Sequence, residues 1–274
     1  MNQIYRKLFE LEGKTAIVTG GLGIIGREVC RGLCEFGANV AIADLNGQGA
    51  EDFAAELASV YAVQAIGLQC NVAVPSEVEA MVEETVKRLG AVHILHNNAA
   101  SRPANRASFL APFEEYSLEQ WQEVMSINID GTFLVAREVG KQMIRQGTGG
   151  SIIQTASIYG IMGPDHRIYE GSYYLGQKLS SPAVYSASKG GVVALTKYLA
   201  TYWAPNKIRV NTLTPGGVES GQNEQFVQKY SARIPLGRMA EASEMVGAVV
   251  YLASSASSYV TGQNIIVDGG LNAW

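Results

Sequence analysis

Lys14-Thr15-Ala16-Ile17-Val18-Thr19-Gly20-Gly21-Leu22-Gly23-Ile24-Ile25-Gly26 decides how the rest of the chain is read. Its first half holds the apolar run Ala16-Ile17-Val18 between two threonines, which fits a strand buried on both faces. Its second half is a glycine-rich turn that opens at once into an amphipathic helix over residues 24–36. Glycines let such a turn bend tightly and approach a ligand closely, and the helix N-terminus offers unpaired N–H groups to an anion. A glycine pattern alone is weak evidence. This one joins the first strand to the first helix, where a strand–turn–helix unit receives the pyrophosphate of a dinucleotide.

Outward from this turn, strands are expected over 14–19, 39–43, 64–69, 93–97, 151–155, 208–213 and 264–267. Helices are expected over 24–36, 47–61, 75–89, 118–146, 185–203 and 242–254. Pro75 suits the first turn of its helix, and Glu77 suits the positive end of the helix dipole. The alternation predicts an α/β fold: one doubly wound, seven-stranded parallel sheet with helices on both faces. Nothing in the sequence reads as a repeat, a linker or a shift of composition. Residues 13–274 are therefore expected to form a single domain behind an N-terminal extension, 1–12.

Composition narrows the function. The 274 residues are 47% apolar and 17% charged, which fits a folded protein with a sizeable core. A net charge of −4 without clustered basic residues argues against nucleic acid and anionic membranes as partners. No apolar run has the length of a membrane span, and the N-terminus lacks the apolar centre of a signal peptide. An odd, sparse set of cysteines, Cys30, Cys34 and Cys70, points to a reducing, cytoplasmic setting. Cys30 and Cys34 have no Cys or His partners at ligand spacing, so they are expected as small core residues and no metal is expected. His93 and His96 are three apart on a strand, face opposite sides and are expected in the core.

Two further positions carry chemistry. The second strand ends at Asp44, eighteen positions after Gly26. An acid there receives ribose hydroxyls and repels a 2′-phosphate, so the expected cofactor is NAD and not NADP. The alternative is a solvated turn acid. The second position is Tyr185-Ser186-Ala187-Ser188-Lys189, downstream of Ser157 at the end of a strand. A phenol has a reference pKa near ~10 and needs a nearby cation to act as a base. Lysine four residues on lies on the same helix face and can supply it. The phenolate could then take a proton from an alcohol, while the Ser157 hydroxyl holds the substrate oxygen.

With these residues together, the chain resembles the classical branch of the short-chain dehydrogenase/reductase family, from Lys14 to Gly270. The resemblance rests on the glycine-rich turn, Asn97-Asn98-Ala99-Ala100, Asn128, Ser157, Tyr185/Lys189, Pro215-Gly216 and Val267-Asp268-Gly269-Gly270. It implies a Rossmann fold and a homotetramer. One interface would pair the helices containing Leu118 and Tyr185; another would use the 242 helix and the last strand. It implies that Tyr185 is the acid/base, Ser157 orients the substrate oxygen, Lys189 lowers the tyrosine pKa and binds the nicotinamide ribose, and Asn128 holds a relay water. Asn97 would stabilise the central sheet. Cofactor contacts would come from Gly20, Leu22, Gly23, Ile24, Ile25, Gly26, Asp44, Leu45, Asn71, Val72, Asn98, Ala99, Ala100, Pro215, Gly216, Val218 and Ser220, with Tyr185 and Lys189.

Three features depart from the family pattern. Ile24 stands where a glycine is usual and Gly23 comes one place early, a spacing similar to the extended branch with its sugar-nucleotide epimerases and dehydratases. Asn71 replaces an acid that commonly meets the adenine. The segment between Ser157 and Tyr185 is long, an insertion of about 158–184. It holds Tyr, Asp, His, Arg, Glu, Gln and Lys, a mixture suited to a ligand rich in hydroxyls. Tyr159, His166, Arg167, Tyr169 and Glu170 are its candidate substrate contacts, with a solvated or interface loop as the alternative. Residues 219–238 form a second candidate lid, and 101–106, with Arg102 and Arg106, a third.

The expected function is therefore NAD-dependent hydride transfer at a secondary alcohol or ketone of a sugar, sugar acid or polyol, by similarity to gluconate-type and related carbohydrate dehydrogenases. Two alternatives stay open. One is a 3-oxoacyl thioester reductase, against which Asp44 weighs. The other is a non-catalytic NAD-binding sensor or scaffold, against which the Asn128/Ser157/Tyr185/Lys189 set weighs.

Overall fold

The structure is a computed structural model that describes residues 4–101, 106–174, 177–178 and 180–274. Its strands are β1 (Thr15–Thr19), β2 (Asn39–Asp44), β3 (Ala65–Gln69), β4 (Ile94–Asn97), β5 (Gly150–Thr155), β6 (Tyr173–Tyr174), β7 (Gln177–Lys178), β8 (Ile208–Pro215) and β9 (Asn264–Val267). Seven of them form one sheet in the order β3-β2-β1-β4-β5-β8-β9, parallel throughout. The order reverses at β1, so a crevice opens beyond its carboxyl end between the loops leaving β1 and β4, as the rule for doubly wound sheets requires.

The helices are α1 (Ile4–Lys7), α2 (Ile24–Glu35), α3 (Gly47–Val60), α4 (Pro75–Leu89), α5 (Arg106–Phe109), α6 (Leu118–Met125), α7 (Thr132–Gln146), α8 (Ala183–Tyr202), α9 (Glu224–Ser231) and α10 (Val246–Ala253). Alternate strand residues feed two cores. Ile17, Ala41, Leu95, Ile152 and Val210 pack against α4, α7 and α8 through Val78, Met81, Val139, Met143 and Leu199. Val18, Ile42, Ile94, Ile153 and Leu213 pack against α2, α3 and α10 through Val29, Leu33, Phe53, Val249 and Leu252. β1 is buried at every position because both of its faces are covered. Cys30, Cys34 and Cys70 are buried and unpaired.

The single helix expected over 118–146 is two helices joined by a π-turn, Ser126–Gly131. The wider turn carries Asn128 into the interior, where it is 1% exposed. Gly131 closes the turn against Val72, whose Cγ2 would lie 2.8 Å from an added Cβ. Hydrophobic periodicity does not register one extra residue, which is why the sequence reads as one helix. The last long helix is likewise shorter than expected. It starts as a 3-10 turn, Ala242–Met245, closed by a reciprocal capping box between Glu241 and Glu244.

Two unexpected elements surround the insertion. α9 lies inside the segment read as a lid, and β6 and β7 pair antiparallel within the insertion. The insertion is less polar in its packing than in its composition. Ile158, Ile168 and Tyr169 form a third core with Tyr230, Ile234, Met239 and Leu271. Tyr169 meets the Phe226 ring at 5.4 Å, and Phe226 meets Tyr230 at 5.5 Å. The insertion and α9 are therefore one packed unit.

Candidate active site

The glycine-rich turn leaves β1 through Gly20, whose φ is +62°. A side chain on Gly26 would put Cβ 2.3 Å from Gly20 O, so glycine there lets α2 start against the turn. Gly23 is the N-cap of α2 and supplies no side chain to close the helix end. The first N–H groups of a twelve-residue helix thus face the crevice without a side-chain cap. Thr19 fixes the opposite wall. Its Oγ1 donates to Asn97 Oδ1 at 3.1 Å and accepts from the N–H groups of Asn98 and Ala99 at 3.0 and 3.1 Å. Asn97 in turn donates from Nδ2 to Thr132 O at 2.9 Å, tying the sheet to α7.

Between these walls lies a cleft of about 430 Å³ lined by Gly20, Leu22, Gly23, Ile24, Ile25, Asp44, Leu45, Asn71, Val72, Asn98, Ala99, Ala100, Val218 and Ser220, together with Cys70 and Ile127. Asp44 closes one end. Its Oδ2 accepts from Leu22 N at 3.1 Å and its Oδ1 from Asn46 N at 3.3 Å. Asn71 accepts Ala73 N at 3.0 Å through Oδ1 and lines the cleft. Gly26, Pro215 and Gly216 stand behind the lining: an added Cβ on Gly216 would lie 2.8 Å from Asp268 Cα. An open helix N-terminus, a positive-φ glycine and an acid at the end of β2 fit a nicotinamide dinucleotide.

The four candidate catalytic side chains converge where β4 and β5 end. Ser157 follows β5 as the cap of a short 3-10 turn, Ile158–Gly160, and accepts from Tyr159 N at 3.3 Å. Tyr185 and Lys189 are one turn apart on α8, with Lys189 Nζ 5.9 Å from the Tyr185 ring centre. Lys189 donates from Nζ to Thr155 O at 2.9 Å. Asn128 bridges two elements: Oδ1 accepts from Ser101 N at 2.8 Å and Nδ2 donates to Ser188 Oγ at 3.1 Å.

Burial sets the protonation. It pushes the Tyr185 phenol above its ordinary value, and the hydrogen-bonded Ser157 hydroxyl pulls it back. It pushes the Lys189 ammonium down to about 8. The lysine was expected to lower the phenol. In the protein by itself, loss of water around the ring is the largest influence and Ser157, not Lys189, opposes it. A cationic ring in the adjoining cleft would add the missing positive field.

The candidate substrate residues separate into two sets. Tyr159 and Tyr169 turn inward, with their hydroxyls 3.4 Å apart, and burial raises the pKa of both. His166, Arg167 and Glu170 are exposed. Arg167 is held by Asp165 through two 2.9 Å hydrogen bonds, and Lys229 donates to Glu170 O at 2.8 Å. Arg102 lies outside the described residues, as does the side chain of Arg106. Sequence reasoning missed Thr155, which acts through a backbone carbonyl and so leaves no side-chain signal. It also passed over Ser101, Ser188 and Tyr230. The two serines are small and featureless in the sequence, and Tyr230 lay within a stretch read only as a lid.

His96 is a core residue as expected, whereas His93 lies just before β4 and is only partly buried. His93 Nδ1 accepts from Thr15 N at 3.1 Å. His96 is fully buried, its Nε2 is 2.9 Å from Thr155 Oγ1, and burial lowers its pKa to about 3.

A family model described as enoyl-(acyl carrier protein) reductase matches residues 23–272. The chain belongs to the short-chain dehydrogenase/reductase family. It is therefore an oxidoreductase. Within the family it is 35% identical to a D-threitol dehydrogenase of Mycolicibacterium smegmatis, over 96% of this chain and 94% of that one. It is 34% identical to a 3-oxoacyl-(acyl-carrier-protein) reductase of Aquifex aeolicus, over 96% and 98% of the two chains. The crystal structure of a gluconate 5-dehydrogenase from Burkholderia cenocepacia, in complex with NADP and tartrate, superimposes with a TM-score of 0.86. That pair is 32% identical and covers 98% of each chain. Among the described residues no helix is long and apolar enough to cross a membrane.

Proposed function

We propose that the protein is an NAD-dependent dehydrogenase of a polyol, sugar or sugar acid, with Tyr185 as its acid/base. The observation that carries this reading is the placement of the hydrogen-bonded Ser157–Tyr185 pair and the buried Lys189 ammonium next to a dinucleotide-shaped cleft. Relatives that act on threitol and gluconate support the substrate class.

The chain's groups divide the work. Ser157 Oγ positions the substrate oxygen beside the phenol and steadies charge that develops on it. Tyr185 takes the hydroxyl proton in oxidation and returns it in reduction. Lys189, anchored on Thr155 O with its Nζ 5.9 Å from the phenol ring centre, would bind the nicotinamide ribose and, together with the cationic ring of the bound dinucleotide, favour the ionised phenol. Asn128 holds the π-turn against Ser101 and α8, which keeps that corner of the site fixed. Gly20 to Ile25, Asp44, Asn98 and Ser220 would hold the dinucleotide, which supplies the hydride acceptor when bound.

NAD is favoured over NADP by Asp44, whose carboxylate faces the cleft at the end of β2. Like charge would oppose a ribose 2′-phosphate there. Three buried free thiols favour a reducing compartment. The exposed Phe133, Tyr198 and Tyr202 on α7 and α8 favour assembly through those helices, as a tetramer. Reduction of a 3-oxoacyl thioester is the second reading, favoured by the similarity to the Aquifex reductase.

The test is reduction of NAD, and separately of NADP, by the purified protein across polyols, sugars, aldonates and 3-hydroxyacyl thioesters. The proposal expects turnover with NAD and a polyhydroxylated alcohol. Activity confined to the thioesters would replace it with the second reading.

A further inference from the structure

We infer that His96 is a positioning residue for the reaction: its hydrogen bond to Thr155 fixes the end of β5, and through it the anchor of Lys189 and the place of Ser157. The inference rests on the dehydrogenase reading above and deepens it.

The end of β5 has lost its neighbour on one side. The last paired residues of β4 and β5 are Asn97 and Gln154, whereas β5 stays paired with β8 as far as Thr155 and Leu213. Ser151 N donates to His93 O at 2.9 Å, and the bonds of a parallel ladder are evenly spaced. In that register the N–H due at Thr155 O is that of Ala99. Ala99 N donates to Thr19 Oγ1 instead, at 3.1 Å. The carbonyl is therefore left over from the sheet, and Lys189 Nζ donates to it at 2.9 Å.

His96 replaces the missing ladder with a side-chain link between the two strands. Its Nε2 is 2.9 Å from Thr155 Oγ1, and the pair is buried, at 0% and 7% exposure. Nδ1 has no partner among the described residues, so Thr155 is the one polar contact this ring makes among them. Thr155 is β-branched, so holding its Oγ1 selects one χ1 rotamer, and that rotamer constrains the residue's own φ and ψ. The direction of its carbonyl follows. Val18 and Ile153, the partners of His96 in register, belong to the core shared with α2 and α10, which places the ring on that face. Lys189 comes from α8, on the other face. The strand end is thus held from both sides, and Ser157 lies just beyond it as the cap of the 3-10 turn. A shift of Thr155 would move the ammonium and the serine hydroxyl together, and small misplacements of positioned groups are costly in rate.

The experiment measures kcat per NAD-binding site on the best alcohol substrate. It compares the wild type with His96→Leu, His96→Gln, Thr155→Val, Thr155→Ser and the double variant His96→Leu/Thr155→Val. Counting sites by NAD binding removes any loss of folded protein. His96→Leu and Thr155→Val should each lose about tenfold, the weight of one hydrogen bond. The double variant should lose no more than either single one, because both remove the same bond. His96→Gln, whose amide still reaches a hydroxyl, should recover part of the loss. Thr155→Ser, which keeps the hydroxyl, should lose less than Thr155→Val, which keeps the shape. Single variants with wild-type kcat, or losses that multiply in the double variant, overturn the inference and leave the dehydrogenase reading in place. If His96→Leu does not fold, the Thr155 variants decide: a larger loss in Thr155→Val than in Thr155→Ser supports the inference, and equal values overturn it. If the wild type oxidises no alcohol, the dehydrogenase reading fails. Crystal structures of the wild type and a folded His96 variant then decide: Lys189 Nζ drawn away from Thr155 O in the variant supports the inference, and an unchanged contact overturns it.

Discussion

Lys189 Nζ donates a 2.9 Å hydrogen bond to the backbone carbonyl of Thr155, and both groups are almost completely withdrawn from solvent. One carbonyl compensates an ammonium only in part, and burial lowers the Lys189 pKa to about 8 from 10.5. Below pH ~8 the charge is present in folded and unfolded chains alike, and the full cost of burying it weighs on the folded state. Between about 8 and 10.5 the folded protein releases the proton first, so this contribution to stability rises with pH. Lys189→Met should therefore be inactive yet more resistant to urea than the wild type at pH 7. Its advantage should shrink by on the order of 3 kcal/mol by pH 10. Urea unfolding at both pH values measures it, and a gap that widens with pH would contradict the burial argument.

His96 tests the same physics with the opposite pH window. Its folded pKa of about 3 lies below the ordinary 6.5, because the ring is buried neutral against Thr155. Stability from this group is complete above pH 6.5 and falls as pH drops toward 3, because only the unfolded chain takes up the proton. The wild type should lose about 1.4 kcal/mol per pH unit from this site across that range. His96→Leu leaves the Thr155 hydroxyl unpaired and should lower stability at pH 7. Its acid slope should be shallower by that amount, read from unfolding curves at pH 7, 6 and 5.

Asp44 is expected to set cofactor choice. Asp44→Asn removes the charge that faces the cleft and keeps one acceptor oxygen, enough for either Leu22 N or Asn46 N but not for both. The ratio of kcat/KM with NADP to that with NAD should rise about tenfold or more, roughly the effect of one charge-assisted interaction. An unchanged ratio would show that Asp44 serves only to pin the turn.

Gly26 should be intolerant for a steric reason. Alanine there would place Cβ 2.3 Å from Gly20 O, a rigid backbone atom, so α2 or the turn must move. Gly26→Ala should cost about 1–3 kcal/mol of stability. It should also weaken NAD binding measurably by calorimetry, because the same movement displaces the helix N-terminus. Normal binding would mean that the turn yields without consequence.

These positions also show what the sequence disclosed and what it hid. The sheet was legible because strands buried on both faces read as continuous apolar runs, and the cleft because glycines and Asp44 fall at fixed offsets from β1. The Ser157, Tyr185 and Lys189 grouping was legible because each is a side chain on a recognisable element. The π-turn at Asn128 was not, since a one-residue bulge barely disturbs a helical pattern. The insertion misled by composition: it reads as polar, yet Ile168 and Tyr169 are core residues against α9. Its polar members His166, Arg167 and Glu170 lie exposed, with Arg167 and Glu170 engaged by Asp165 and Lys229.

The central claim is that Tyr185 moves the substrate proton. Its most direct test is Tyr185→Phe, assayed for turnover of the best substrate while NAD affinity is followed by fluorescence titration. The phenol is partly buried and hydrogen-bonded to Ser157, and phenylalanine keeps the ring, so losing its oxygen should leave the fold and the cofactor cleft intact. The account predicts a fall in kcat of about 10²- to 10⁴-fold, the usual weight of a general acid/base, with NAD binding unchanged. A variant that binds NAD and retains wild-type turnover would contradict it.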